Sequence, residues 1–256
     1  MFNINFLHLL REAELELVIA DLRPGARILE FGAGTGAQAK DLAARGFEVV
    51  AIDLPASGYA QSRVFPIIDY DGRTIPLPDA SIDIVFSSNV LEHVENLPEI
   101  MAEFRRILRQ DGYCLHLMPS VAWRAWTFAA GPPTAIAAAA RFVTEFISPP
   151  AGTARIQAAV RNLKTGIGAL LPIGHGTSFE GISELWTFSV AAWRTKFEKY
   201  GFQVDRWRPV GLFHTGHMVL GPRASIAQRQ RWAAHFGSAA NLFLVIPRAS
   251  NLNESD

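Results

Sequence analysis

Three glycines at alternate positions, Gly32, Gly34 and Gly36, follow a short apolar run, Arg27 to Phe31, that carries the acid Glu30. Glycine at a strand-to-helix turn lets the backbone pass close to a ligand, because no Cβ stands in the way. The helix that follows offers N–H groups without intrahelical partners to something polar. A second apolar run, Phe47 to Ile52, ends on Asp53, about 20 residues beyond the glycines, where a carboxylate suits the hydroxyls of a ribose. Together these residues predict a site for an adenosine-containing ligand. Gly32-x-Gly34-x-x-Ala37 satisfies the loose dinucleotide pattern, which keeps a nicotinamide cofactor open. Glu30 suits a ligand with a cationic amino group, from which a carboxylate accepts, or it orients the loop.

The second set of chemical residues is histidine, whose ordinary pKa near 6.5 suits moving a proton at neutral pH. His93 follows a predicted strand, Ser81 to Ser87, near the end of the sheet where ligands bind. His175 lies in the glycine turn Gly174-His-Gly-Thr-Ser178, with Glu180 and Glu184 after it. His214 and His217 share the run Phe213-His-Thr-Gly-His217. His93, His175 and His214 are the candidate catalytic residues. His214 and His217, three apart, would suit a metal, but no third ligand is evident in the sequence and no metal is expected. His8, His116 and His235 read as structural.

The elements that must position these groups alternate regularly. The spacing of Leu7, Leu10, Ala13, Leu17 and Ala20 predicts a first helix over residues 6–22, broken by Pro24-Gly25. Strands at 27–31, 47–52, 64–68, 81–87 and 113–118 are separated by helices at 37–44 and 97–108, with turns at Asp71-Gly72 and Asp111-Gly112. This β/α rhythm predicts a parallel sheet with helices on both faces. Later strands are expected at 202–207 and 242–247, and helices at 189–200 and 223–236. Residues 120–185 lack the rhythm; helices at 135–147 and 155–170 make this stretch a helical insert within a single domain of 1–256, a lid over a substrate pocket. Trp126 to Ile147 has the length of a spanning helix, about 20 residues, but Gly131-Pro132-Pro133, Arg141 and Glu145 argue against a span. Arg124, Arg141, Arg155, Arg161 and Lys164 face only Glu145 in charge. A basic, apolar segment of this kind suits a peripheral contact with an anionic membrane through residues 120–170, so a plain lid and a lid that touches membrane both stand.

The 24 Lys and Arg equal the 24 Asp and Glu, which leaves no electrostatic footprint for nucleic acid. The single cysteine, Cys114, excludes an internal disulfide and reads as a buried structural thiol. The first 22 residues lack the basic, apolar and small-residue regions of a signal peptide. A cytoplasmic location is expected, membrane-peripheral if the insert touches lipid.

Two further blocks carry a resemblance: "IPLPDASIDIVFSSNVLEHV" at 75–94 and "EFRRILRQDGYCL" at 103–115. Taken in order with Glu-Phe-Gly-Ala-Gly-Thr-Gly and Asp53, the set resembles the class I S-adenosylmethionine (SAM)-dependent methyltransferases, in the methyltransferase type 11 group, over about residues 26–119. The resemblance implies a Rossmann-like α/β fold of seven strands, parallel except for the last, here with the helical insert after strand five. It implies SAM as cofactor: Gly32, Gly34 and Gly36 along the methionine part, Asp53 on the ribose, Leu54 against the adenine, Asp69 or Asp71 on the adenine amino group, and Ser87, Ser88 and Asn89 toward the sulfonium. The expected reaction is methyl transfer to a small-molecule, saccharide or lipid-linked acceptor, with a hydroxyl as the preferred site. A nicotinamide oxidoreductase and a non-catalytic interaction module are the alternatives.

Overall fold

The computed structural model describes residues 4–147, 153–171, 174–177, 181–217 and 220–248. Seven strands form one sheet in the order β3-β2-β1-β4-β5-β7-β6, made of β1 (Arg27–Phe31), β2 (Glu48–Asp53), β3 (Ile68–Asp69), β4 (Ile82–Ser88), β5 (Leu108–Pro119), β6 (Phe202–Pro209) and β7 (Ala240–Pro247). The first five pair in parallel, and β7 runs antiparallel to both β5 and β6. This is the seven-stranded, mostly parallel sheet expected. The glycine loop and the ends of β2 and β4 lie together at the carboxyl edge of the parallel strands, where ligands bind in open sheets.

Helices cover both faces. On one, α3 (Leu97–Ile107) buries Ile100, Met101, Phe104 and Ile107 beside Trp193 and Phe197 of α8 (Val190–Lys199). On the other, α1 (Ile4–Val18) buries Leu15 and Val18 against Ile28, Ile84 and Leu115. The face α1 turns inward differs from the predicted one: Phe6, Leu10, Glu14, Leu15 and Val18 are buried, and Ala13 and Leu17 only partly. Glu14 goes inside because it has ionic partners there, so hydrophobic spacing alone misjudged the helix rotation.

Two strands differ from expectation. The third is not 64–68 but the two residues Ile68–Asp69. Pro66 has no N–H to give a ladder, and the Val64 N–H donates instead to Thr35 O at 2.8 Å, which ties this segment to the glycine loop. The fifth starts earlier, at Leu108, and the Asp111-Gly112 turn survives inside it as a register jump: Ile82 pairs with Leu108, but Ile84 already pairs with Tyr113. Cys114 is fully buried, and burial pushes its thiol pKa up, as befits a structural role.

Between β5 and α8 lie α4 (Val121–Ala129), α5 (Gly131–Ile147), α6 (Thr153–Leu170), the short α7 (Glu184–Thr187) and the loop segment 174–177. The start of α5 meets the end of α6, with Gly131 against Ala169, so the two helices form an antiparallel hairpin. Helix α2 (Ala37–Ala44) follows the glycine loop, and α9 (Ile226–Phe236), opened by a Ser225 capping box, precedes β7. Among the described residues no helix is long and apolar enough to cross a membrane.

Candidate active site

The glycine loop is built for close approach. Gly32, Gly34 and Gly36 have φ of 74°, 58° and 74°, the left-handed region that side chains disfavour. A Cβ on Gly36 would also stand 2.8 Å from Phe65 Cβ. The Asp53 carboxylate braces the loop from the end of β2: Oδ2 accepts from Gly34 N at 2.9 Å and Oδ1 from Leu54 N at 2.8 Å. A groove of about 110 Å³ runs along this loop, lined by residues including Gly32, Gly34, Thr35, Gln38, Tyr59 and Ser88.

Glu30 is buried under the loop, and its Oε2 has no hydrogen-bond partner. Burial, reinforced by the nearby Asp53 charge, pushes its pKa up to about 8 even though the Ala39 N–H favours the charged form. An orphaned, desolvated carboxylate beside a cradle of backbone N–H groups fits a ligand that brings a cation, such as the amino group of a methionine moiety. The other predicted cofactor residues separate. Leu54 is half-exposed beside Gly72. Asp69 accepts from Arg63 at 2.6 Å. Asp71 makes the turn, its Oδ1 accepting from Arg73 N and Thr74 N at 2.8 Å, and these N–H donors hold its pKa below the usual range. Asn89 sits at φ 55°, with Ser88 as its neighbour toward the groove. Ser87 turns the other way: its side chain is fully buried and its hydroxyl pairs with His116 Nδ1 at 2.8 Å, so only its backbone is left for the cofactor. Alternation along β4 explains the split, since successive side chains point to opposite faces.

A larger cavity, about 510 Å³, opens next to the groove and shares Leu7, Arg11 and Tyr59 with it. His93, His175, His214 and His217 all line it, with Asn89, Trp123 and Arg124. The three predicted catalytic histidines are thus brought to one wall system from three distant parts of the chain. His93 and His175 touch edge to face, with ring centroids 4.8 Å apart, and Trp123 lies 4.7 Å from His175. Burial lowers the pKa of both imidazoles, that of His175 to about 4 with help from His93 and nearby arginines. Both are therefore neutral at pH 7.

Several site residues carry no motif. Glu184 is fully buried, accepts from the backbone N–H groups of His175 and Gly176, and forms an ion pair with Arg124 at 2.9 Å. The Thr177 N–H donates to Glu92 O at 2.9 Å, and a Cβ on Gly176 would stand 2.5 Å from that oxygen, so this close approach needs glycine. Ser178 and Glu180, neighbours of His175 in the sequence, lie outside the described residues. Tyr59, between groove and cavity, and Arg11, on α1, had no spacing signal. The missed signal for α1 was its acid at position 14 in an otherwise apolar face.

His214 pairs with Glu14, Nε2 to Oε1 at 3.1 Å, and Arg11 holds the other carboxylate oxygen at 2.5 Å. Burial alone would raise the Glu14 pKa, but the Arg11 charge and the His214 bond outweigh it and hold it at about 2. A depressed carboxyl stabilises the fold in full above its ordinary pKa and loses that contribution as pH falls through the folded value. Here the window runs from about 4.5 down to about 2, worth about 3 kcal/mol. Urea unfolding of wild type and Glu14→Gln checks this: their stability gap is expected to be widest at neutral pH and to shrink below pH 4.5, and a gap independent of pH would refute it.

Residues 29–116 match the family model described as a methyltransferase domain. Over 97 residues the chain is 37% identical to a malonyl-[acyl-carrier protein] O-methyltransferase of Xylella fastidiosa, an alignment covering 34% of this chain and 33% of that protein. Over 94 residues it is 32% identical to a demethylmenaquinone methyltransferase of Corynebacterium efficiens, covering 36% and 41%. The chain thus matches less than half the length of these curated relatives. A crystal structure of an S-adenosylmethionine-dependent methyltransferase from Mesorhizobium loti superposes with a TM-score of 0.52 over 92% of this chain and 98% of that one, at 16% identity, a likeness of fold. These findings resolve the glycine loop's ambiguity in favour of SAM over a nicotinamide. Residues 29–116 match a methyltransferase domain and lie on a Rossmann-like sheet of the kind that class I SAM-dependent methyltransferases of the type 11-like group use, and the cofactor this implies is S-adenosylmethionine.

Proposed function

We propose that this protein transfers a methyl group from SAM to a hydroxyl of a small-molecule, saccharide or lipid-linked acceptor. The observation that carries this reading is the junction at Tyr59: a groove along the glycine loop opens onto a histidine-lined cavity large enough for an acceptor. Bound SAM supplies an electrophilic methyl on a cationic sulfur. The chain's own residues do the positioning. Asp53 holds the ribose hydroxyls, Glu30 answers the amino group, Leu54 packs on the adenine with Asp69 or Asp71 near its amino group, and Ser88 and Asn89 mark the passage to the cavity. A cavity wall that mixes Trp123 and Phe128 with polar side chains can align acceptor and methyl, and positioning is most of what an in-line displacement requires. His93 and His175, neutral at pH 7, each have a lone pair to take the acceptor's proton. His214 is placed to bind the acceptor and to fix α1 over it through Glu14. The name of the Xylella relative, an O-methyltransferase, is in keeping with a hydroxyl or carboxyl oxygen as acceptor. Incubation with methyl-labelled SAM and a panel of hydroxylated acceptors tests this: label in at least one oxygen acceptor is expected, and SAM binding without transfer to any class would favour the interaction-module alternative.

The α5–α6 hairpin supports a second property, a peripheral contact with an anionic membrane. Ile136, Phe146, Ile147, Ile156 and Leu170 are each more than 60% exposed, in a hairpin that also carries Arg141, Arg155, Arg161 and Lys164. Exposed apolar side chains on helices that also carry cations suit the interface of such a bilayer. Weak co-sedimentation with phosphatidylglycerol-containing vesicles is expected at low salt and should disappear at high salt. Equal sedimentation with and without vesicles would reject it.

A further inference from the structure

Glu92 is the least explained buried group of the cavity wall. Its side chain is 1% exposed, yet neither carboxylate oxygen has a hydrogen-bond partner. Its Oε1 faces the Nε2 atoms of His93 and His175 at 3.7 and 3.9 Å. These distances are too long for hydrogen bonds. They are close to the spacing of donor atoms around a shared transition-metal ion, about 3.3–3.5 Å for bonds of about 2.1 Å in a tetrahedron. One donor atom from each of the three residues can be chosen so that all lie within 4.8 Å of one another.

The surrounding chain holds this cluster in place. Glu92 and His93 sit in a tight turn, Leu91–His93, in which His93 N–H donates to Val90 O at 2.9 Å. The second histidine arrives from 82 positions later and is fastened twice: Thr177 N–H donates to Glu92 O, and Glu184 accepts from the His175 and Gly176 N–H groups. Such effort to bring two imidazoles against an unpartnered buried carboxylate is poorly explained by core packing, since burying an unsatisfied carboxylate is costly.

We propose that Glu92, His93 and His175 bind one divalent first-row transition cation of the zinc class, with its open position facing the acceptor cavity. Two imidazole nitrogens and one carboxylate oxygen are the donor set that zinc enzymes and mononuclear iron enzymes use when a coordination position is left for substrate. The remaining position takes the acceptor's oxygen. With the cation present the histidines act as ligands, and the cation replaces a general base by lowering the pKa of the bound hydroxyl. The hydroxyl proton leaves to solvent, an oxygen lone pair forms the new C–O bond, and the S–C bond breaks with its electron pair remaining on sulfur. This role for the bound oxygen rests on the methyl-transfer reading; the cation site itself does not.

The test uses the full chain stripped with chelator and titrated with Co²⁺ alone, without SAM. One Co²⁺ per chain is expected, with the visible absorption of a low-coordinate nitrogen–oxygen site, displaced by Zn²⁺. Glu92→Gln and His175→Asn should each weaken binding at least tenfold, while His235→Ala, on exposed α9, should not. A ligand that binds only the folded state raises its melting temperature, so Zn²⁺ should raise that of wild type and not that of Glu92→Gln. In chelator, Glu92→Gln should be at least as stable as wild type, which separates lost ligation from lost folding. Absence of stoichiometric binding, or binding unaffected by Glu92→Gln and His175→Asn, overturns the site. A SAM titration of the same sample reports on the methyl-transfer reading separately.

Discussion

Asp53→Ala is expected to weaken SAM binding about 100-fold. The carboxylate closes β2 and sits against the glycine loop, where it accepts from Gly34 N and Leu54 N. The proposed role for this carboxylate is to accept from the ribose hydroxyls, and a hydrogen bond to a charged group contributes about 1.5–3 kcal/mol. Losing two such bonds, with some relaxation of the Gly34 turn, comes to about 3 kcal/mol, or roughly two decades in affinity. Asp53 is only partly buried, so the fold should survive. Asp69→Ala makes the contrast. Its carboxylate is engaged by Arg63 on an exposed edge, so a change of less than tenfold is expected. Calorimetric titration of both variants decides; equal affinity for wild type and Asp53→Ala would remove Asp53 from the ribose role.

Glu184→Ala is expected to destabilise the protein by about 3–5 kcal/mol, the usual cost of breaking a buried ion pair from one side. The side chains of Arg124 and Glu184 are 5% and 0% exposed. Truncation removes a carboxylate from Arg124 and the acceptor of two backbone N–H groups at His175 and Gly176. For a chain of this size the melting temperature should fall by about 10 °C. The local consequence is more specific than the loss of stability. The segment 174–177 loses one of its two fastenings, so His175 should no longer be held against His93, and turnover should fall more than SAM affinity. A melting temperature within 2 °C of wild type would show that the pair is not a structural keystone of the cavity wall.

Legibility in the sequence follows the range of the interactions. The sheet was readable because β/α alternation is local, and the glycine loop because strand, turn and helix are contiguous. The third strand was misplaced because Pro66 and the Val64-to-Thr35 bond take that segment out of the ladder. Ser87 and Ser88 look alike in the sequence, and parity along β4 is what turns the Ser87 side chain to His116. The cavity was only half legible. Each histidine could be picked out as a candidate, but nothing in the spacing says that His93 and His175 meet, because that contact depends on Glu184, Arg124 and the approach of Gly176 to Glu92. Glu92, inside a familiar block, gave no sign that its carboxylate would be buried without a partner. The His214–His217 spacing is visible in the sequence, whereas the approach of His93 and His175 to Glu92 is not, because it joins residues more than 80 positions apart.

The central claim, that this domain binds SAM through the glycine loop and Asp53, is tested most directly by calorimetric titration of the full chain with SAM. The account predicts saturable binding at one site per chain, weakened about 100-fold by Asp53→Ala. No heat of binding with SAM, together with protection from thermal unfolding by a nicotinamide dinucleotide, would contradict it.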